Sequence, residues 1–124
     1  MQTFLFISIG AILGANLRYW LGNWAAQRWG TQLPYGTLLI NLSGSLVLGF
    51  FLTLATQRFL IDPNWRIFFA TGFLGAYTTF STYTYESIAL INGGNWLLGG
   101  VNLVGSAILG GLAAILGIYL ARLI

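Results

Sequence analysis

The sequence predicts an all-α membrane protein with four transmembrane helices, the third broken near its middle. Three observations carry that prediction. Hydrophobic residues make up 57% of the 124 residues and charged residues only 6%, where a soluble domain carries about 25% charged residues; mean hydropathy is +0.81. A span needs about 20 apolar residues, so the length allows four spans, short loops and a single domain, 1–124. Finally, one apolar stretch contains a run that is poorly built for continuous helix, Gly72 to Glu86 (GFLGAYTTFSTYTYE).

The first span is expected over Phe4 to Trp24, retained rather than cleaved, since no charged segment precedes it. Gly10, Gly14, Arg18 and Gly22 lie four apart and form one stripe. Gly10-x-x-x-Gly14 permits close helix packing. Arg18 either snorkels to the interface or stands as a fixed positive charge at a vestibule that attracts anions. Its place on the small-residue stripe favours the second. Trp20 and Trp24 suit an aromatic belt.

A loop over Ala26 to Pro34 leads to the second span, Tyr35 to Thr56, with Pro34 at its opening turn. Asn41, Ser45 and Gly49 make a polar, small stripe. An Asn amide in an apolar span is costly to leave unpaired. It either bonds across helices or points its N–H donors into a pathway, and spacing does not separate the two. In the second loop, Gln57 to Asn64, Asp62-Pro63 reads as an N-cap followed by a first-turn proline.

The third span, Trp65 to Ile91, contains the irregular run. Gly72 and Gly75 each cost about 1 kcal/mol relative to Ala in a helix. Thr78, Thr79, Ser81, Thr82 and Thr84 offer hydroxyls that compete for backbone partners. Unwinding is expected from Gly75 to Thr79. Unwound backbone at membrane depth survives only in protein or beside a wet cavity. There, freed carbonyls suit a small hard cation such as Na⁺, while N–H groups and hydroxyls suit an anion. The alternative is an ordinary helix packed through small residues. Phe80 and Tyr83 share a face; their electropositive edges could meet an anion, or they simply pack. Glu86 falls on the same side.

Asn92 to Asn95 is a turn, and the fourth span runs from Trp96 to near Arg122. Asn102, Ser106, Gly110 and Ala114 lie four apart, giving either a packing seam or a ladder of donors for an ion.

The chain has no Cys, no His and only two acids, Asp62 and Glu86. Thiol and His chemistry and soft-metal sites are excluded, and no enzyme is expected. The five arginines are too dispersed for nucleic-acid binding. Arg58, Arg66 and Arg122 share one side, against Arg28 and Arg18 on the other. Such a slight bias could allow insertion both ways and an antiparallel dimer. A chain this short has little room to enclose a pore alone, which also points to a homo-oligomer.

Gly14-x-x-x-Arg18, Asn41-Leu42-x-Gly44 and above all Gly72-Phe-Leu-Gly75-x-x-Thr78-Thr79-Phe80-Ser81-Thr82 resemble the Fluc (CrcB) fluoride channels over the whole chain. The resemblance implies a dual-topology antiparallel homodimer in the bacterial inner membrane, exporting fluoride passively as detoxification. It implies a structural Na⁺ at the dimer centre, held by carbonyls of Gly75 and Thr78 from each subunit. It further implies a fluoride pathway using Asn41, Phe80, Tyr83 and Ser106, with Arg18, Ser81, Thr82 and Asn102 contributing. The chain departs from the family at Tyr83, where the family usually has Phe, at Asn102, where it often has Tyr, and at Gly110, where it often has a hydroxyl residue. The main rival is a four-span proton-coupled drug exporter, which wants a carboxylate in the first span; Arg18 stands there without an acid. A purely structural membrane subunit is the third reading.

Overall fold

The computed structural model describes residues 1–124, all in helices and short connections. Helix α1 (Gln2–Trp29) is longer at both ends than the apolar stretch that predicts it. Nothing between Trp24 and Trp29 opposes a helix, and the first residue that does is Gly30, at φ 83. Helix α2 (Tyr35–Thr53) follows Pro34 and continues through a wide π turn, Leu54–Arg58, two residues beyond the expected end. Phe59 is extended and ends it.

Asp62 caps the next helix as expected, its carboxylate accepting from the Asn64 N–H at 2.8 Å. Helix α3 (Pro63–Arg66) passes into π-helical Ile67–Leu74, and then α4 (Gly75–Tyr77). Thr78 and Thr79 are extended, with ψ of 157° and 118°. Helix α5 (Phe80–Asn92) resumes, and a Gly93-Gly94 turn leads to α6 (Trp96–Arg122). The unwinding is narrower than expected: Gly75 to Tyr77 stay helical and only two residues leave it. Gly72 serves close packing rather than unwinding, since a Cβ there would stand 2.7 Å from the Ile7 carbonyl oxygen.

Glycines set the distances between helices. A Cβ at Gly10 or Gly14 would overlap the backbone at Phe68 and Phe73, so α1 lies directly against the π-helical segment. On the other side, Gly49 faces the Ala114 carbonyl and Gly117 faces the Leu46 carbonyl, so α2 and α6 meet backbone to backbone. Rings of Phe69, Phe73 and Tyr77 stack in a column with centroids 5.5 and 6.0 Å apart. Ile40, Leu74 and Tyr77 form the buried core beside it.

That core is thin: only 17 of 124 residues are buried. Most apolar side chains point outward, which is stable only where the surrounding solvent is lipid or another subunit. The backbone satisfies itself, with 87 of 101 backbone hydrogen bonds inside helices, as lipid requires. Three continuous helices are long and apolar enough to cross a bilayer: Gln2–Trp29, Tyr35–Arg58 and Trp96–Arg122. The chain is thus an integral, multi-pass membrane protein.

Candidate functional site

The break at Thr78-Thr79 is built by diverting two N–H groups. In a continuous helix the Thr79 N–H would bond the Gly75 carbonyl, and the Thr82 N–H the Thr78 carbonyl. Instead, Thr79 N–H donates to Asn41 Oδ1 at 2.8 Å, and Thr82 N–H donates to Thr79 Oγ1 at 3.2 Å. Asn41 Nδ2 in turn donates to the Thr79 carbonyl at 2.9 Å. The Gly75 and Thr78 carbonyls are left with no protein donor. Gly44 makes room for the kink, since any Cβ there would collide with Thr78 Cγ2.

The amide predicted as either an interhelical bond or a pathway donor is therefore an interhelical clasp. Asn41 also lines a groove of about 360 Å³ with Thr78, Thr79, Phe80, Tyr83, Ser106 and Gly110. Three elements far apart in sequence meet there: α2, the break with α5, and α6. Phe80 is 76% exposed and Tyr83 only 9%. Their ring centroids lie 5.8 Å apart, edge to face. The Tyr83 hydroxyl donates to the Leu103 carbonyl, so α5 is pinned to α6. Ser43 and Tyr77 hydroxyls bond at 2.9 Å, outside the groove lining.

Ser106 donates to Asn102 Oδ1 at 3.2 Å, Asn102 Nδ2 donates to Ser87 Oγ at 2.7 Å, and Ser87 Oγ donates to the Tyr83 carbonyl at 2.8 Å. Asn102 is buried behind the groove rather than lining it. Ser81 is exposed and Thr82 half-buried on the first turn of α5, outside the groove lining. Arg18 is half-buried, and its Nε is enclosed without a hydrogen-bond partner. It lies on α1, apart from the groove.

Glu86 accepts from the Thr37 hydroxyl at 2.5 Å, within a separate cavity of about 460 Å³ that opens beside Gln32, Tyr85 and Asn95. Ser87 and Thr37 escaped the sequence reading. Ser87 sits four residues after Tyr83 on one face, which is the only local signal it carries. Thr37 has none, since its partner is 49 residues away.

No three His, Cys, Asp or Glu side chains come together. A cation held here would rely on oxygen donors of the backbone, and the Gly75 and Thr78 carbonyls are of that kind.

Known proteins match this chain along nearly its full length. A "Fluoride-specific ion channel FluC" of Chloroflexus aurantiacus is 49% identical over 122 residues, covering 98% of this chain and 97% of that protein. A protein of the same name from Koribacter versatilis is 50% identical over 117 residues, covering 94% and 92%. Another from Sulfurihydrogenibium sp. is 42% identical over 124 residues, covering both chains completely. The family model described as "CrcB-like protein, Camphor Resistance (CrcB)" matches residues 5–118. This chain, with its interrupted helix and glycine-seamed bundle, belongs to the CrcB-like family of membrane proteins.

Proposed function

We propose that this protein is a fluoride-selective channel that lets fluoride leave the cell passively, protecting it from fluoride; it is no enzyme. The observation that carries the reading is the groove at the helix break, which gathers Asn41, Phe80, Tyr83 and Ser106 from separate elements. The names of its relatives support the choice of ion. Fluoride is small, strongly hydrated and a strong hydrogen-bond acceptor. A narrow path of amide and hydroxyl donors can replace its water, and a larger, weaker acceptor is disfavoured there. With an inside-negative potential, and HF entering and dissociating in the cytoplasm, passive flow is outward.

The channel is an antiparallel homodimer of four-span subunits in the bacterial inner membrane. The exposed Phe80 and the open groove support this, because a pathway walled on one side needs a second wall. The small arginine bias supports dual topology. The Gly75 and Thr78 carbonyls suit Na⁺ chemically, being unpaired neutral oxygens at the break. Bound at the dimer centre, Na⁺ would supply positive potential near the anion path. Asn41 and Thr79 then act by holding those carbonyls out of the helix. Arg18 adds fixed positive charge that draws anions inward, and Ser81 and Thr82 add hydroxyls on the partner-facing turn of α5. A proton-coupled exporter is the poorer fit, since α1 carries Arg18 and no carboxylate.

Anion efflux from liposomes tests the proposal. Purified protein is reconstituted with potassium fluoride or potassium chloride inside, and efflux is triggered with valinomycin. Rapid fluoride release with negligible chloride release is expected. Release of neither ion from correctly assembled dimers overturns the reading.

A further inference from the structure

Ser106, Asn102 and Ser87 form one directed chain of hydrogen bonds that ends on the Tyr83 carbonyl. Ser87 is 0% exposed and Asn102 6%, so neither can borrow water. A serine hydroxyl has a single hydrogen. Ser87 gives its hydrogen to Tyr83, so it can only accept from Asn102. Asn102 must then offer Nδ2 to Ser87 and Oδ1 to Ser106. The hydrogen of Ser106 is thereby drawn along α6, and the groove meets only its lone pairs. That orientation repels an anion.

A half-turn of the Asn102 amide exchanges the places of Oδ1 and Nδ2 and leaves the outline of the side chain almost unchanged. The Ser87 hydrogen then swings to Asn102 Oδ1, Asn102 Nδ2 donates to Ser106 Oγ, and the Ser106 hydrogen is released into the groove. With the groove empty, this second arrangement has one hydrogen bond fewer. With an anion present the count is equal, three against three, and the new bond is charge-assisted and about twice as strong as a neutral one; turning the Ser106 hydroxyl alone reaches the same count but leaves its oxygen facing Asn102 Oδ1 as a second acceptor 3.2 Å away.

We infer that Asn102 is a flipping relay between buried Ser87 and groove-lining Ser106, arming Ser106 as a donor only when an anion is present. Ser87 is a positioning residue: it touches no ion and acts through Asn102. The relay favours the strongest acceptor among small anions, because only a strong bond offsets the Ser87–Tyr83 bond that is given up. It also keeps the empty step from holding an anion too tightly, as conduction requires. The inference rests on the channel reading above.

A double-mutant cycle on fluoride and chloride efflux tests it, using Ser87→Ala, Ser106→Ala and the pair. Ser106→Ala is expected to slow fluoride release about threefold to tenfold, the size of one hydrogen bond, whereas Ser87→Ala, which removes the bond that flipping gives up, should leave fluoride release unslowed and raise chloride release about threefold to tenfold. The pair should be no slower than Ser106→Ala alone, and Asn102→Leu should abolish the effect of Ser87→Ala. Multiplying effects in the pair overturn the relay and leave Ser87 a packing residue. Should Ser87→Ala fail to assemble, the unmodified protein still decides the matter through the ¹⁵N side-chain amide signal of Asn102. That signal should move on titration with potassium fluoride, stay still with potassium chloride, and lose its response in Ser106→Ala. No response to fluoride overturns the relay. Absence of fluoride efflux from the unmodified protein overturns the channel reading instead, and the amide signal alone then decides the relay.

Discussion

Asn41 pairs with both backbone polar groups of Thr79, accepting from its N–H at 2.8 Å and donating to its carbonyl at 2.9 Å. One side chain of α2 thus stands in for the helix bonds that Thr79 gives up. Asn41→Ala should leave both groups short of a partner at once. A loss of about 2 kcal/mol in stability is expected, given roughly 1–3 kcal/mol for each unsatisfied buried group and partial burial here. Chemical unfolding in detergent measures it. Asn41→Asp keeps the acceptor but sets an oxygen against the Thr79 carbonyl oxygen. Fluoride efflux should fall about a hundredfold, corresponding to two such bonds' worth of misfit. Unchanged efflux would refute the clasp.

Thr79 has a second task, capping α5 through its hydroxyl to the Thr82 N–H. Thr79→Val keeps the shape and removes the cap. It should cost about 1 kcal/mol, while Thr79→Ser should cost much less. The two unfolding midpoints, compared side by side, check this.

The Tyr83 hydroxyl serves α6 rather than the groove, since it bonds the Leu103 carbonyl. Tyr83→Phe should therefore lower stability by about 0.5–1.5 kcal/mol and leave the ring edge against Phe80 in place. Fluoride efflux within about threefold of the unmodified protein is expected. A gain of tenfold or more would mean that the hydroxyl obstructs the path.

Gly117 faces backbone on α2, where a Cβ would meet the Leu46 carbonyl and stand 2.9 Å from the Phe50 nitrogen. Backbone cannot swing aside as a side chain can. Gly117→Ala should force α2 and α6 apart and cost about 1–3 kcal/mol, despite the better helix propensity of Ala. Size-exclusion profiles and unfolding curves report the loss; a neutral result would show the contact to be soft.

Composition and local pattern determined much of this protein. The scarcity of charge makes lipid the solvent, and helices follow because lipid accepts no unpaired backbone. Helix ends near Pro34, Asp62-Pro63 and Gly93-Gly94 were legible because caps and breakers act within a few residues, whereas the last turn of α1, to Trp29, lay in the stretch read as loop. The face shared by Phe80 and Tyr83 follows from spacing on a single helix. The family motif marked the region of the break for the same local reason.

Only the tertiary structure decided where the helix opens and what each polar group does there. The Thr-rich run lowers the cost of opening over several residues, but Asn41, 38 residues upstream, selects Thr79 by supplying its missing partners. Likewise, Ser87 gains its role from Asn102, 15 residues on, and Glu86 meets Thr37 across 49. Periodicity reports which face a residue occupies and what solvent it prefers. It carries no record of which distant donor meets which acceptor, because that pairing is set by the packing of backbones at Gly10, Gly49 and Gly117 and by the room that Gly44 leaves for the Thr78 side chain.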